Sequence, residues 1–158
     1  MNQYCVVVTN GSKARFFTLQ DAEHPEIQSS PNLVESNILL HPDHEHAMKT
    51  RELHQHANMS EIAMKDERPE VHHPEFDRRF ASDIVKEASR ISAVENHSPV
   101  LLVSKKSMLG HLREAAHNRL RGVETHELAK DLSKLSPREL HNYLAKEHLL
   151  PERKTPPH

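Results

Sequence analysis

With three glycines, one cysteine, no tryptophan, four phenylalanines and two tyrosines in 158 residues, this chain is first defined by what it cannot build. Glycine occurs only at 11, 110 and 122, so neither a G-x-G-x-x-G turn nor a phosphate-cradling P-loop can be written along it. The lone Cys5 cannot close an internal disulfide, which favours a reducing compartment, and in the run YCVVV it reads as a buried strand thiol. No apolar run reaches the roughly 18 residues that span a bilayer, and no basic segment leads into an apolar signal stretch. A cytoplasmic protein without a membrane partner is expected. The scarcity of aromatic residues argues against base stacking as a main binding mode, and Phe16, Phe17, Phe76 and Phe80 are expected in the core. Charge of one sign is also missing: 21 basic against 23 acidic residues leave −2, so attraction to a polyanion has to be local.

What is present is a succession of readable elements. Tyr4 to Thr9 is β-branched and apolar, Asn10-Gly11 is a turn dipeptide, and Ala14 to Leu19 alternates as a returning strand. Asn32 to Leu40 supplies a third strand. Phe76, Phe80, Ile84, Ala88 and Ile91 recur at helical spacing and predict a helix over Glu75 to Ala93. Pro99 to Val103 reads as a strand buried on both faces. A second helix is predicted from Ser107 to Leu120, ended by Gly122, and Val123 to Leu128 as an edge strand. A last helix spans Pro137 to Lys146. The order implies a mixed α/β sheet, three antiparallel strands passing into alternating helix and strand, the element order of ribonuclease H-like folds. One domain is expected over 1–150, with a polar, histidine-rich insertion at 41–75 and a disordered tail at 151–158.

The start of the last helix is written into KDLSKLSPREL at Lys130 to Leu140. Ser136 and Glu139 form a capping box around Pro137 at the first helical position. With VVVTNGSKARFF at Val6, FDRRFASDIVKEA at Phe76 and LLVSKKSMLGHLREA at Leu101, this string resembles the bacterial host-attachment family from end to end, except over 41–75. That family is similar to the middle domain of bacterial relatives of archaeo-eukaryotic release factors, which has a ribonuclease H-like fold. The resemblance implies a translation-associated or RNA-contacting ancestry. It does not extend to peptide release, because no Gly-Gly-Gln tripeptide occurs.

A two-metal nuclease on such a fold needs carboxylates at strand ends. The first strand delivers Thr9-Asn10, and the strand ending at Val103 delivers Ser104-Lys105-Lys106. A non-catalytic protein that binds structured RNA, ribosomes or a protein partner is therefore the leading expectation. A cryptic hydrolase using Ser104, Lys105 and a histidine is the weaker alternative. For nucleic acid, the candidates are Lys105, Lys106, Arg113 and Arg121, with His117, along the second helix, and Lys13 and Arg15 on the first turn. Residues 81–122 hold seven lysines or arginines against four acids. Seven of the fifteen histidines fall within 41–75. His41, His44, His46, His54 and His56 are candidate ligands for zinc or nickel in a metal- or pH-responsive loop, and a solvated polar insertion is the competing account.

Overall fold

A computed structural model describes residues 3–42 and 74–154. Strand β1 (Cys5–Thr9) turns at Asn10-Gly11 into β2 (Lys13–Gln20), and β3 (Asn32–Leu40) completes an antiparallel set. At the turn, the Asn10 side-chain carbonyl accepts from the amides of Ser12 (2.9 Å) and Lys13 (3.1 Å). Gly11 takes φ +90°, a conformation that a Cβ disfavours. Helix α1 (Pro74–Val94) leads to β4 (Val100–Ser104), helix α2 (Lys106–Arg119) to β5 (Thr125–Ala129), and the chain folds back through α3 (Pro137–Lys146). β4 pairs parallel to both β1 and β5, so the open five-stranded sheet runs β3-β2-β1-β4-β5.

The continuous apolar character of β1 and β4 follows from this order. Both are central strands covered on two faces, and all ten of their residues are buried. On one face Cys5, Val7, Phe16, Val100 and Leu102 meet Phe80, Ile84 and Ala88 of α1 and Met108, Leu109 and Leu112 of α2. On the other, Val6, Val8, Phe17, Leu19, Leu101 and Val103 meet Leu140 and Leu144 of α3. The β2–β3 register skips Ser36, a bulge that carries Glu35 and Asn37 to opposite faces.

Three expectations change. Phe76, in the first turn of α1, is 36% exposed, with its ring edge-on to His41 at 6.5 Å between centroids, and Phe80 takes the buried position one turn later. The edge strand begins at Thr125, after a turn containing Gly122 at φ +78°. The tail is held as far as Lys154: Lys154 and Ser30 exchange backbone hydrogen bonds of 2.8 and 3.2 Å, and the Arg153 Nε donates to Asn32 Oδ1 at 2.9 Å. Of the expected insertion, 43–73 lies outside the described residues, whereas His41, its first residue, is fully buried.

Candidate functional site

Parallel strands bring their carboxyl ends to one edge of the sheet, where open α/β sheets commonly place ligands. Here that edge gathers Thr9-Asn10 from β1, Ser104-Lys105 from β4 and Asp131 beyond β5. The Thr9 hydroxyl donates to the Lys13 carbonyl (2.8 Å) and accepts from the Gly11 amide (3.2 Å). Asn10 is occupied by the turn. Ser104, the nucleophile of the hydrolase alternative, is fully buried, and its hydroxyl donates to the Lys105 carbonyl at 3.1 Å. Asp131 brings the acid that β1 and β4 lack, and sequence reading passed over it because it follows an edge strand rather than a central one. Burial opposes its charge, but hydrogen bonds from the Ser133 hydroxyl and amide, with Lys105 and Lys134 nearby, hold its carboxyl below the usual range. Lys105 Nζ stands 3.9 Å from Asp131 Oδ2. One carboxylate beside an ammonium is a charge pair rather than a divalent-metal cradle. Among the described residues, no three histidine, cysteine, aspartate or glutamate side chains converge on a point.

The cations foreseen for nucleic acid divide by location. Lys13, Lys105 and Lys106 are exposed at or near this edge. Arg15 is turned inward instead, because its place on β2 aims it at the face that α3 covers. Its Nε and Nη2 donate to the two Glu35 oxygens at 3.0 and 2.8 Å, and its Nη1 donates to the carbonyls of Ser133 (3.0 Å) and Leu135 (2.7 Å). The guanidinium also lies 4.9 Å from the centre of the Phe17 ring. That arginine staples the KDLSKLS loop to the sheet.

Arg113 stands on the outer face of α2 and Arg121 in the turn just past its C-terminal end, and the helix forms a ridge between two open depressions. One, about 1000 Å³, runs between α2 and β5 and is lined by Arg113, His117, Arg121 and His126 with Glu114 and Glu127. The other, about 460 Å³, lies between α1 and α2 and adds Arg78, His111 and Arg119, sharing Glu114 and Asn118. Four arginines and three histidines thus face two glutamates across the ridge. Arg113 is clamped to Glu127 through Nε at 3.0 Å and Nη2 at 2.6 Å, tying α2 to the edge strand. Arg78, His111, Arg119 and His126 were missed in the sequence, because a groove assembled from two helices and a strand has no linear signature.

The metal candidates separate as well. His41 Nε2 lies 2.8 Å from Asp77 Oδ1, and its ring meets Phe80 edge-on at 5.0 Å between centroids. His44, His46, His54 and His56 lie outside the described residues.

Fold and site together define a small mixed α/β protein whose described surface offers charged grooves along one helix. Residues 5–144 match the family described as "Protein required for attachment to host cells", and the chain belongs to that family. All four sequence strings fall within the match. A search of the curated proteins found no match. Among the described residues, no helix is long and apolar enough to cross a membrane.

Proposed function

We propose that this attachment-family protein is a non-catalytic, cytoplasmic binding protein that docks structured RNA, free or within a ribosome, along the α2 ridge. Its effect on host attachment is then exerted from inside the cell rather than as an adhesin. The observation that carries this is the arginine excess lining both flanks of α2. An A-form helix is met mainly through its phosphates and 2′-hydroxyls, which an arginine ridge with grooves suits and which needs no aromatic platform. The strand order, with three antiparallel strands followed by parallel additions, favours a ribonuclease H-like assignment, and with it kinship to the middle domain of release-factor relatives. Amide, hydroxyl and lysine at the ends of β1 and β4 support binding without hydrolysis.

The test is fluorescence anisotropy with a structured RNA hairpin. Affinity should fall steeply between about 50 and about 200 mM salt, and Arg119→Glu/Arg121→Glu should lower it about tenfold or more at the low end. Unchanged binding by that variant rejects the ridge. Absence of RNA binding together with co-purification of a protein from the native cell shifts the assignment to a protein partner.

One observation favours a second reading, a metal- or pH-responsive loop between His41 and His73. An aspartate on one nitrogen, as Asp77 is on His41, is the arrangement that orients ligand imidazoles. Calorimetry with Zn²⁺ or Ni²⁺ should then detect a stoichiometric site that His44→Ala/His46→Ala/His54→Ala abolishes; no heat above dilution rejects it.

A further inference from the structure

We propose that residues 150–154 form a strap latched by neutral His141, and that protonation of this imidazole releases the strap and uncovers the start of the β3 edge. The inference stands apart from the RNA ridge, on the opposite side of the sheet.

His141 is carried by α3 between the core residues Leu140 and Leu144 and is 1% exposed. Its Nε2 lies 2.8 Å from the carbonyl oxygen of Pro151. A carbonyl only accepts, so Nε2 holds the hydrogen and the neutral ring keeps a bare lone pair on Nδ1. That Nδ1 is buried with no hydrogen-bond partner. As a lone pair it is tolerated; as an N–H of an imidazolium it becomes an unsatisfied buried donor carrying charge, which is costly.

The surroundings give that charge nothing in return. No carboxylate among the described residues lies within ion-pairing distance of the ring, and on β3, which packs against α3, Glu35 is held by Arg15. The cation that bears on His141 is Arg153, on the strap itself. Burial lowers the proton affinity of His141 first; the Pro151 carbonyl partly offsets this, and Arg153 lowers it further.

Two elements flank the ring, and one can yield. α3 is anchored by Leu140 and Leu144, both fully buried, in the core of the sheet face. The strap is anchored by Leu150, by the Lys154–Ser30 backbone pair and by the Arg153–Asn32 bond. Moving the strap away opens the Nε2 side of the ring to water and removes the Arg153 repulsion in one step. It also frees the backbone groups of Ser30 and the Oδ1 of Asn32 at the head of β3. Because the native imidazole titrates below the ordinary value near 6.5, the latch is fully closed above that value and weakens as pH falls below it.

The experiment is hydrogen exchange at the Lys154 and Ser30 amides of the full chain at pH 7.5 and 5.5, corrected for intrinsic rates. Protection in the wild type should drop by up to about tenfold, since pH 5.5 lies about one unit below the ordinary imidazole value of the open state, while core amides of β1 and β4 keep theirs. His141→Gln places an amide N–H where Nε2 stands and takes up no proton, so its strap protection should be the same at both pH values. Wild-type protection that ignores pH, or a glutamine variant that loses as much as the wild type, overturns the proposal. Should that variant not fold, the wild-type His141 ring and the Lys154 amide are followed together by NMR. A shared midpoint supports the latch, and separate midpoints overturn it.

Discussion

The guanidinium of Arg15 closes a circuit between β2, β3 and the loop that precedes α3, and it does so in a setting 12% exposed on its side and 27% on Glu35's. Removing it leaves a half-buried carboxylate and two carbonyls without donors at once. Arg15→Met is expected to cost about 2–4 kcal/mol, read as a shift in urea midpoint without a change in slope. Arg15→Lys should recover little, since an ammonium cannot serve Glu35 bidentately and the loop carbonyls together. The bond from Arg15 holds the Glu35 carboxyl below its usual range against a smaller opposing effect of burial. The sign follows: this stabilisation is fully present above the ordinary carboxylate value near 4.3 and is lost as pH falls through the lowered one. Glu35→Gln should therefore flatten the acid limb of the stability profile. None of this was readable in the sequence, where Arg15 sits in a turn-flanking basic string and its partners are 20 and about 120 residues away. Short-range pattern gives a cation its address on a strand, whereas the face it serves depends on what the tertiary fold lays over it.

At the scale of elements, α3 shows local chemistry specifying structure at both ends. Ser136 Oγ accepts from the Glu139 amide at 3.2 Å while Glu139 Oε1 accepts from the Ser136 amide at 3.1 Å, with Pro137 in the first turn. Ser136→Ala should cost about 1 kcal/mol by thermal or chemical denaturation, because the Glu139 amide loses its acceptor and only the Glu139 half of the box remains. At the other end, His148 sits at φ +61°, with its amide bonded to Ala145 and that of Leu149 bonded to Leu144, a Schellman termination on a residue with a Cβ. His148→Gly is accordingly expected to raise stability by about 0.5–1 kcal/mol, provided the strap beyond it stays closed. The capping box was legible to the residue because all its determinants lie within four positions. The paired strands and the helix stripes were legible because their periods are local. Phe76 was misjudged for a physical reason: helical spacing identifies a face but not how deeply each position on it is buried. The strap was misjudged because composition alone cannot register Leu150 in the core or the backbone pair between Lys154 and Ser30.

On the scale of the whole molecule, the net charge of −2 sets the background against which the α2 ridge must act. A polyanion meets a slightly repulsive molecule at long range and an attractive surface at short range, so neutral-pH affinity should be modest and carried by contacts within a Debye length of α2. Between pH 8 and 6, ordinary carboxylates, near 4, and lysines, near 10.4, hold their charge, which leaves histidine as the side chain that adds positive charge there. The chain has fifteen. Affinity for a structured RNA should therefore rise monotonically as pH falls across that window, and its salt dependence should steepen, since more phosphates are neutralised and more counterions released on binding. The two effects must move together. A rise in affinity with an unchanged salt slope would point to a conformational cause, whereas a steeper slope that vanishes in Arg119→Glu/Arg121→Glu places the added charge on the ridge. Salt titrations of the anisotropy signal at three pH values, with wild type and variant side by side, decide between them.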